Sequence, residues 1–87
     1  MRPDERINLM QARLQQKFSP RTLEIIDDSG RHVGHAGSQN GAGHYTVKIS
    51  ADSFINKSRV DTHREIYALF ADLIPDEIHA LQIKILE

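Results

Sequence analysis

Tyr45, Val47 and Ile49 alternate with His44, Thr46 and Lys48, the plainest pattern in the chain. A period of two puts one set on each face of a β-strand, so the chain must build a sheet with one covered and one polar face. By the same alternation His44 faces away from the core. Partner strands are expected at Thr22–Asp27 (TLEIID) and at residues 78–86, where Leu81, Ile83 and Ile85 share a face. Cover is expected from two helices. Over residues 4 to about 18, Ile7, Met10, Leu14 and Phe18 fall at helical spacing, and Pro3 and Asp4 suit a helix start. Over residues 58–73, Val60, Tyr67, Phe70 and Ile74 form a stripe that His63 continues, with Ser58 as N-cap. Pro75-Asp76-Glu77 reads as a new start, a short helical turn before the last strand. Three strands and two main helices are most economically arranged as an α+β fold with both helices on one sheet face.

With 87 residues, a single small domain with one modest core is expected across 1–87. Its 39% hydrophobic and 26% charged content is ordinary for a globular protein. The opening MRPDERINLM carries charges of both signs and no apolar run, unlike a secretory signal, and nothing reaches the length of a membrane span. The expected setting is cytoplasmic. The formal net charge of −1 argues against tight nonspecific binding to nucleic acid, which needs a positive excess to displace counterions. Enzyme chemistry is not expected: there is no cysteine nucleophile, no phosphate-binding loop ending in Lys-Ser/Thr and no Gly-x-Ser-x-Gly elbow.

The chemistry that remains is imidazole. There are five histidines and no cysteine, and His32, His35 and His44 lie in or beside GRHVGHAGSQNGAGH, which holds all five glycines. Histidine is the commonest metal ligand, and a segment this long between strands is often functional. His32 and His35, three apart around Gly34, read either as metal ligands or as solvated residues of a loop tip. A self-contained zinc site would draw on His32, His35, His44 and His79. His79 opens the last strand, where a ligand would be held on a rigid element facing the loop. His63, on the helix stripe, is expected to be packed and hydrogen-bonded. Gly34-His35-Ala36-Gly37 fits the GxxG clamp of nucleic-acid modules, but it falls between strands where that clamp joins helices. Lys57, Arg59 and Arg64 cluster near the start of the second helix, with Asp61 and Glu65 interleaved. They read as a solvated face, with weak DNA contact as the alternative.

Taken together, these segments resemble the BolA family. Its pattern is a Phe-x-Gly-Lys-Ser-like segment, a helix bearing Arg-His-Arg, and a strand opening Ile/Val-His-Ala-Leu. The corresponding residues are Phe54-Ile55-Asn56-Lys57-Ser58, Thr62-His63-Arg64 and Ile78-His79-Ala80-Leu81, preceded by the loop Arg31-His32-Val33-Gly34-His35-Ala36-Gly37. Asn56 replaces a usual glycine and Thr62 a usual arginine; asparagine tolerates the left-handed backbone such a turn requires.

The resemblance implies an αββααβ order, similar to type II KH domains, and partnership with a monothiol glutaredoxin. In that partnership the glutaredoxin and glutathione supply thiolates to a shared [2Fe–2S] cluster, which the isolated chain does not bind. This chain would add histidine nitrogen from His79, with His32 or His35 from the loop. The resemblance also implies an alternative, DNA-binding transcriptional regulation of morphology and stress response through Lys57, Arg59 and Arg64.

Overall fold

The computed structural model describes residues 1–29 and 41–86. Helix α1 spans Pro3–Phe18, with proline in its first turn, Asp4 and Glu5 at the positive end of its dipole and Ser19 in the left-handed conformation closing it. Strand β1 is Thr22–Asp27, β2 is Gly43–Ser50, helix α2 is Arg59–Leu69 and β3 is Ile78–Ile85. Short 3-10 turns at Asp52–Phe54 and Ala71–Leu73 flank α2. This is the α+β architecture expected from the sequence.

The sheet order is β1-β2-β3. β1 and β2 pair antiparallel from Thr22↔Ser50 to Asp27↔Tyr45. β2 and β3 pair parallel, so the chain must cross over between them, and α2 is that crossover. Both strands therefore begin at the same end of the sheet, its head. The core lies between one sheet face (Tyr45, Val47, Ile49, Leu81, Ile83) and the helices (Met10, Leu14, Phe18, Ile66, Phe70). Phe18 meets Phe54 edge to face at 5.1 Å. Glu24, Gln82 and Lys84 are exposed on the other face.

The second helix departs from the expected stripe. Val60 and Tyr67 are exposed, while Thr62, Ile66, Phe70 and Leu73 are buried. Thr62 tolerates burial because its hydroxyl donates to the Ser58 carbonyl at 3.0 Å. Tyr67 leans outward and donates its hydroxyl to the Leu81 carbonyl of β3. The stripe is thus rotated by about one helix position, and His63 is only half-buried on its flank. The regular helix stops at Leu69, short of residue 73. There Arg13 ties α1 to its end, donating to the Leu69 carbonyl at 2.9 Å and to both Asp72 carboxylate oxygens at 2.7 and 2.9 Å. Ser58 is the N-cap, accepting from Asp61 N–H at 3.0 Å, and Asn56 sits in the left-handed region at φ 67°.

Candidate metal centre

At the head, the β2–β3 register slips by one residue. Gly43 lies opposite Ile78, but His44 lies opposite Ala80, so His79 is an extra residue in β3. Such irregularities re-aim side chains and recur beside functional sites. Strict alternation from Leu81 would turn His79 into the core and Ile78 out of it. Instead Ile78 is fully buried, and His79 and Ala80 are both exposed. The extra residue is what brings the His79 imidazole out of the core.

It emerges beside His44, with ring centroids 5.0 Å apart and planes tilted by 56°. His44 points away from the helices, as alternation requires, but only 8% of it is exposed. Its N–H donates to the Ser29 hydroxyl at 2.9 Å, and its carbonyl accepts from Asp28 N–H at 2.7 Å. Ser29 is itself held by the Asp27 carboxylate at 2.8 Å, and Asp28 accepts from the Thr46 hydroxyl at 2.6 Å.

The other flank of the head is built around a buried arginine. Arg6 is 4% exposed. Its Nη1 donates to the Tyr45 hydroxyl at 2.9 Å and its Nη2 to the Gly41 carbonyl at 3.0 Å. Nη2 and Nε both donate to Glu77 Oε1, at 3.1 and 3.3 Å. Burial disfavours the Arg6 cation, but the hydrogen bonds it donates to Tyr45 and Glu77 outweigh that cost and raise its pKa above the ordinary value. The bond from Arg6 in turn holds the Glu77 carboxyl below its usual range, against the opposing cost of burial. Gly43 has no room for a side chain: a Cβ there would collide with the Tyr45 ring and hydroxyl. Gly41, at φ 75°, occupies backbone space that side chains rarely adopt. Sequence reasoning assigned Arg6 no role. A signal was present, since Arg6, Met10, Leu14 and Phe18 recur every four residues along one face of α1.

Of the expected metal ligands, His32 and His35 lie outside the described residues. The residues on either side of that segment, Ser29 and Gly41, are anchored at the head, to His44 and Arg6. Among the described residues no group of three or more His, Asp, Glu or Cys side chains is placed to hold a metal ion. The donor chemistry here is one exposed imidazole on a fixed strand end, backed by a second ring. That suits one nitrogen ligand to a centre whose remaining ligands come from elsewhere.

The basic residues lie apart from this head. Lys57 and Arg59 share a shallow groove with Arg21, Phe54, Ile55 and Ile85 at the opposite end of the sheet. An eight-residue strand, roughly 23 Å long at about 3.3 Å per residue, separates the two ends. Lys57 is paired with Glu65 and Arg21 with Asp52, while Arg64 is exposed on α2. Thr62, at the position where the family pattern carries an arginine, is buried.

Fold and head together define a small α+β module that presents imidazole at the common start of two parallel strands. The family model for BolA-like proteins matches residues 14–87, and the chain belongs to that family. It is 38% identical over 76 residues to SufE-like protein 1, chloroplastic/mitochondrial, of Arabidopsis thaliana, a match covering 82% of this chain and 20% of that protein. It is 32% identical over 74 residues to the DNA-binding transcriptional regulator BolA of Escherichia coli, covering 85% of this chain and 68% of that one. The solved BolA domain of SufE1 from Arabidopsis thaliana superposes with a TM-score of 0.78 at 34% identity, covering 92% of this chain and 88% of that one. No helix among the described residues is long and apolar enough to cross a membrane.

Proposed function

We propose that this BolA-like chain is a non-enzymatic partner of a monothiol glutaredoxin. It contributes histidine nitrogen to a shared [2Fe–2S] cluster, in cluster trafficking or iron sensing. The observation that carries this reading is the register slip that turns His79 out of the core beside His44. A cysteine-free chain cannot supply the thiolates, so the glutaredoxin and its glutathione provide them. A [2Fe–2S] centre in which imidazole replaces thiolate has a higher reduction potential than an all-thiolate one. The chain's own residues fix one ligand. Ile78 anchors β3 in the core, the extra residue exposes the ring, and His44 limits the directions that ring can take. His32 or His35 is the proposed companion from the loop.

The test is a titration of the protein into a cluster-loaded monothiol glutaredoxin, followed by visible absorption and circular dichroism. A new spectrum is expected, and His79→Ala should abolish it; no spectral change with the wild-type protein would sink the proposal. A second reading has one observation behind it, the groove that carries Arg21, Lys57 and Arg59, and the Escherichia coli relative is named as a DNA-binding regulator. It requires sequence-preferring DNA binding that persists near physiological salt and weakens in Lys57→Ala or Arg59→Ala.

A further inference from the structure

We infer that Arg6 is a positioning residue for His79, bolting the turn before β3 to the entry of β2. The inference rests on the proposed role of His79 for its biological meaning, but its structural content is independent of the glutaredoxin.

The argument begins with connectivity. The planar guanidinium engages four partners at once: the Met1 carbonyl ahead of α1 at 3.3 Å, Gly41 just before β2, Tyr45 within β2, and Glu77 directly before β3. A fork of five N–H donors can serve four acceptors in fixed directions, which a lysine ammonium on a mobile stem cannot reproduce. Glu77 is tied to the head at both its groups, its side chain by Arg6 and the N-terminal ammonium and its carbonyl by Gly43 N–H at 3.0 Å, while its own N–H donates to the Leu73 carbonyl at 2.8 Å. Only Ile78, itself fully buried, separates Glu77 from His79. The place where the register slips, between Gly43 and His44 on β2, is thus bracketed by Arg6 contacts at Gly41 and Tyr45. Losing the guanidinium leaves the Tyr45 hydroxyl, the Gly41 carbonyl and the Glu77 carboxylate without their common donor. The strand entry then has less to hold it in the slipped register. Partners hydrogen-bonded directly to a ligating histidine change metal affinity by about 10- to 100-fold when removed, and Arg6, acting through Glu77 and Ile78, is expected at the lower end.

The experiment compares Arg6→Met with Arg13→Met. Both remove a clamping arginine from α1, but Arg13 acts on Leu69 and Asp72 rather than at the head. The first readout needs no glutaredoxin: the His79 imidazole signals in ¹H–¹⁵N spectra of the isolated protein at fixed pH, with hydrogen exchange of the Gly43 amide. Arg6→Met is expected to move the His79 signals and to speed Gly43 exchange about tenfold beyond any global destabilisation; Arg13→Met should do neither. Tyr45→Phe removes one contact and should shift the same signals less, in the same direction, so the test stands even if Arg6→Met does not fold. In the glutaredoxin titration, Arg6→Met should weaken formation of the mixed species about tenfold. His79 signals that superimpose on wild type in both head variants, or that move equally in Arg13→Met, overturn the inference. A wild-type titration without spectral change defeats the functional proposal and leaves the imidazole result to decide the role of Arg6.

Discussion

The two ends of the sheet use charge in opposite ways. At the head, Arg6 is buried, spends its donors on four partners and carries a raised pKa. At the far end, Lys57 and Arg21 lie at the surface, each beside a single carboxylate, and Arg59 is exposed. A buried arginine with several acceptors fixes backbone geometry, because none of its partners can move without leaving a group unsatisfied. Surface pairs contribute about 0–1 kcal/mol and rearrange freely. The head is therefore built to hold its strand entry, and with it the His79 ring, in one place. The far end has the adaptable character of a surface that meets a partner through long-range charge.

The contrast is most directly broken at Gly43. Gly43→Ala forces a methyl group into the Tyr45 ring, which is 2% exposed and tied to Arg6, so a loss of about 2 kcal/mol in urea unfolding is expected. A loss below about 0.5 kcal/mol would mean that the head yields easily. Ser58→Ala, at the start of α2 and remote from the head, should cost about 1 kcal/mol and leave the His79 imidazole signals unmoved.

The acid response comes next, and it separates the two clamps of α1. Asp72 is held low by Arg13 and Glu77 by Arg6. Groups with depressed pKa values stabilise the fold above their unfolded values, 3.8 and 4.5, and that stability is lost as pH falls through the lower folded values. Arg13→Met should flatten the stability–pH curve for the Asp72 share alone, measured by thermal melts between pH 5 and pH 2. Smallest is the double variant Lys57→Ala, Arg59→Ala, expected to change stability by no more than about 0.5 kcal/mol and to leave the glutaredoxin titration intact. If it abolishes salt-resistant DNA binding instead, the far end is a working site in its own right.

The sequence made the three strands and α1 readable because each has a clean period and a recognisable boundary. β1 spans the expected Thr22–Asp27, and Ser58 caps α2. The inward face of α2 was not readable by hydrophobicity. Thr62 is buried with its hydroxyl satisfied locally, while Tyr67 spends its ring outside to reach a strand carbonyl. The burial of His44 and the bonds that its backbone makes with Asp28 and Ser29 are long-range facts, which no periodicity encodes. The identity of His79 came from resemblance; its direction came from an added residue that alternation cannot anticipate. A trace of it exists, since the apolar Ile78 and Leu81 stand three apart where an unbroken strand would space them by two.

The register slip also separates what the chain needs to fold from what it needs in order to bind. Deleting His79 would leave Gly43 opposite Ile78 and His44 opposite Ala80 as consecutive pairs in an uninterrupted ladder, with Ile78 and Leu81 still available to the core. A chain shortened by that one residue is expected to fold at least as stably as the wild type while having no ring to offer. His79 is in this sense an insertion into a strand that is complete without it, so the binding proposed for it and the folding of the chain can be measured apart.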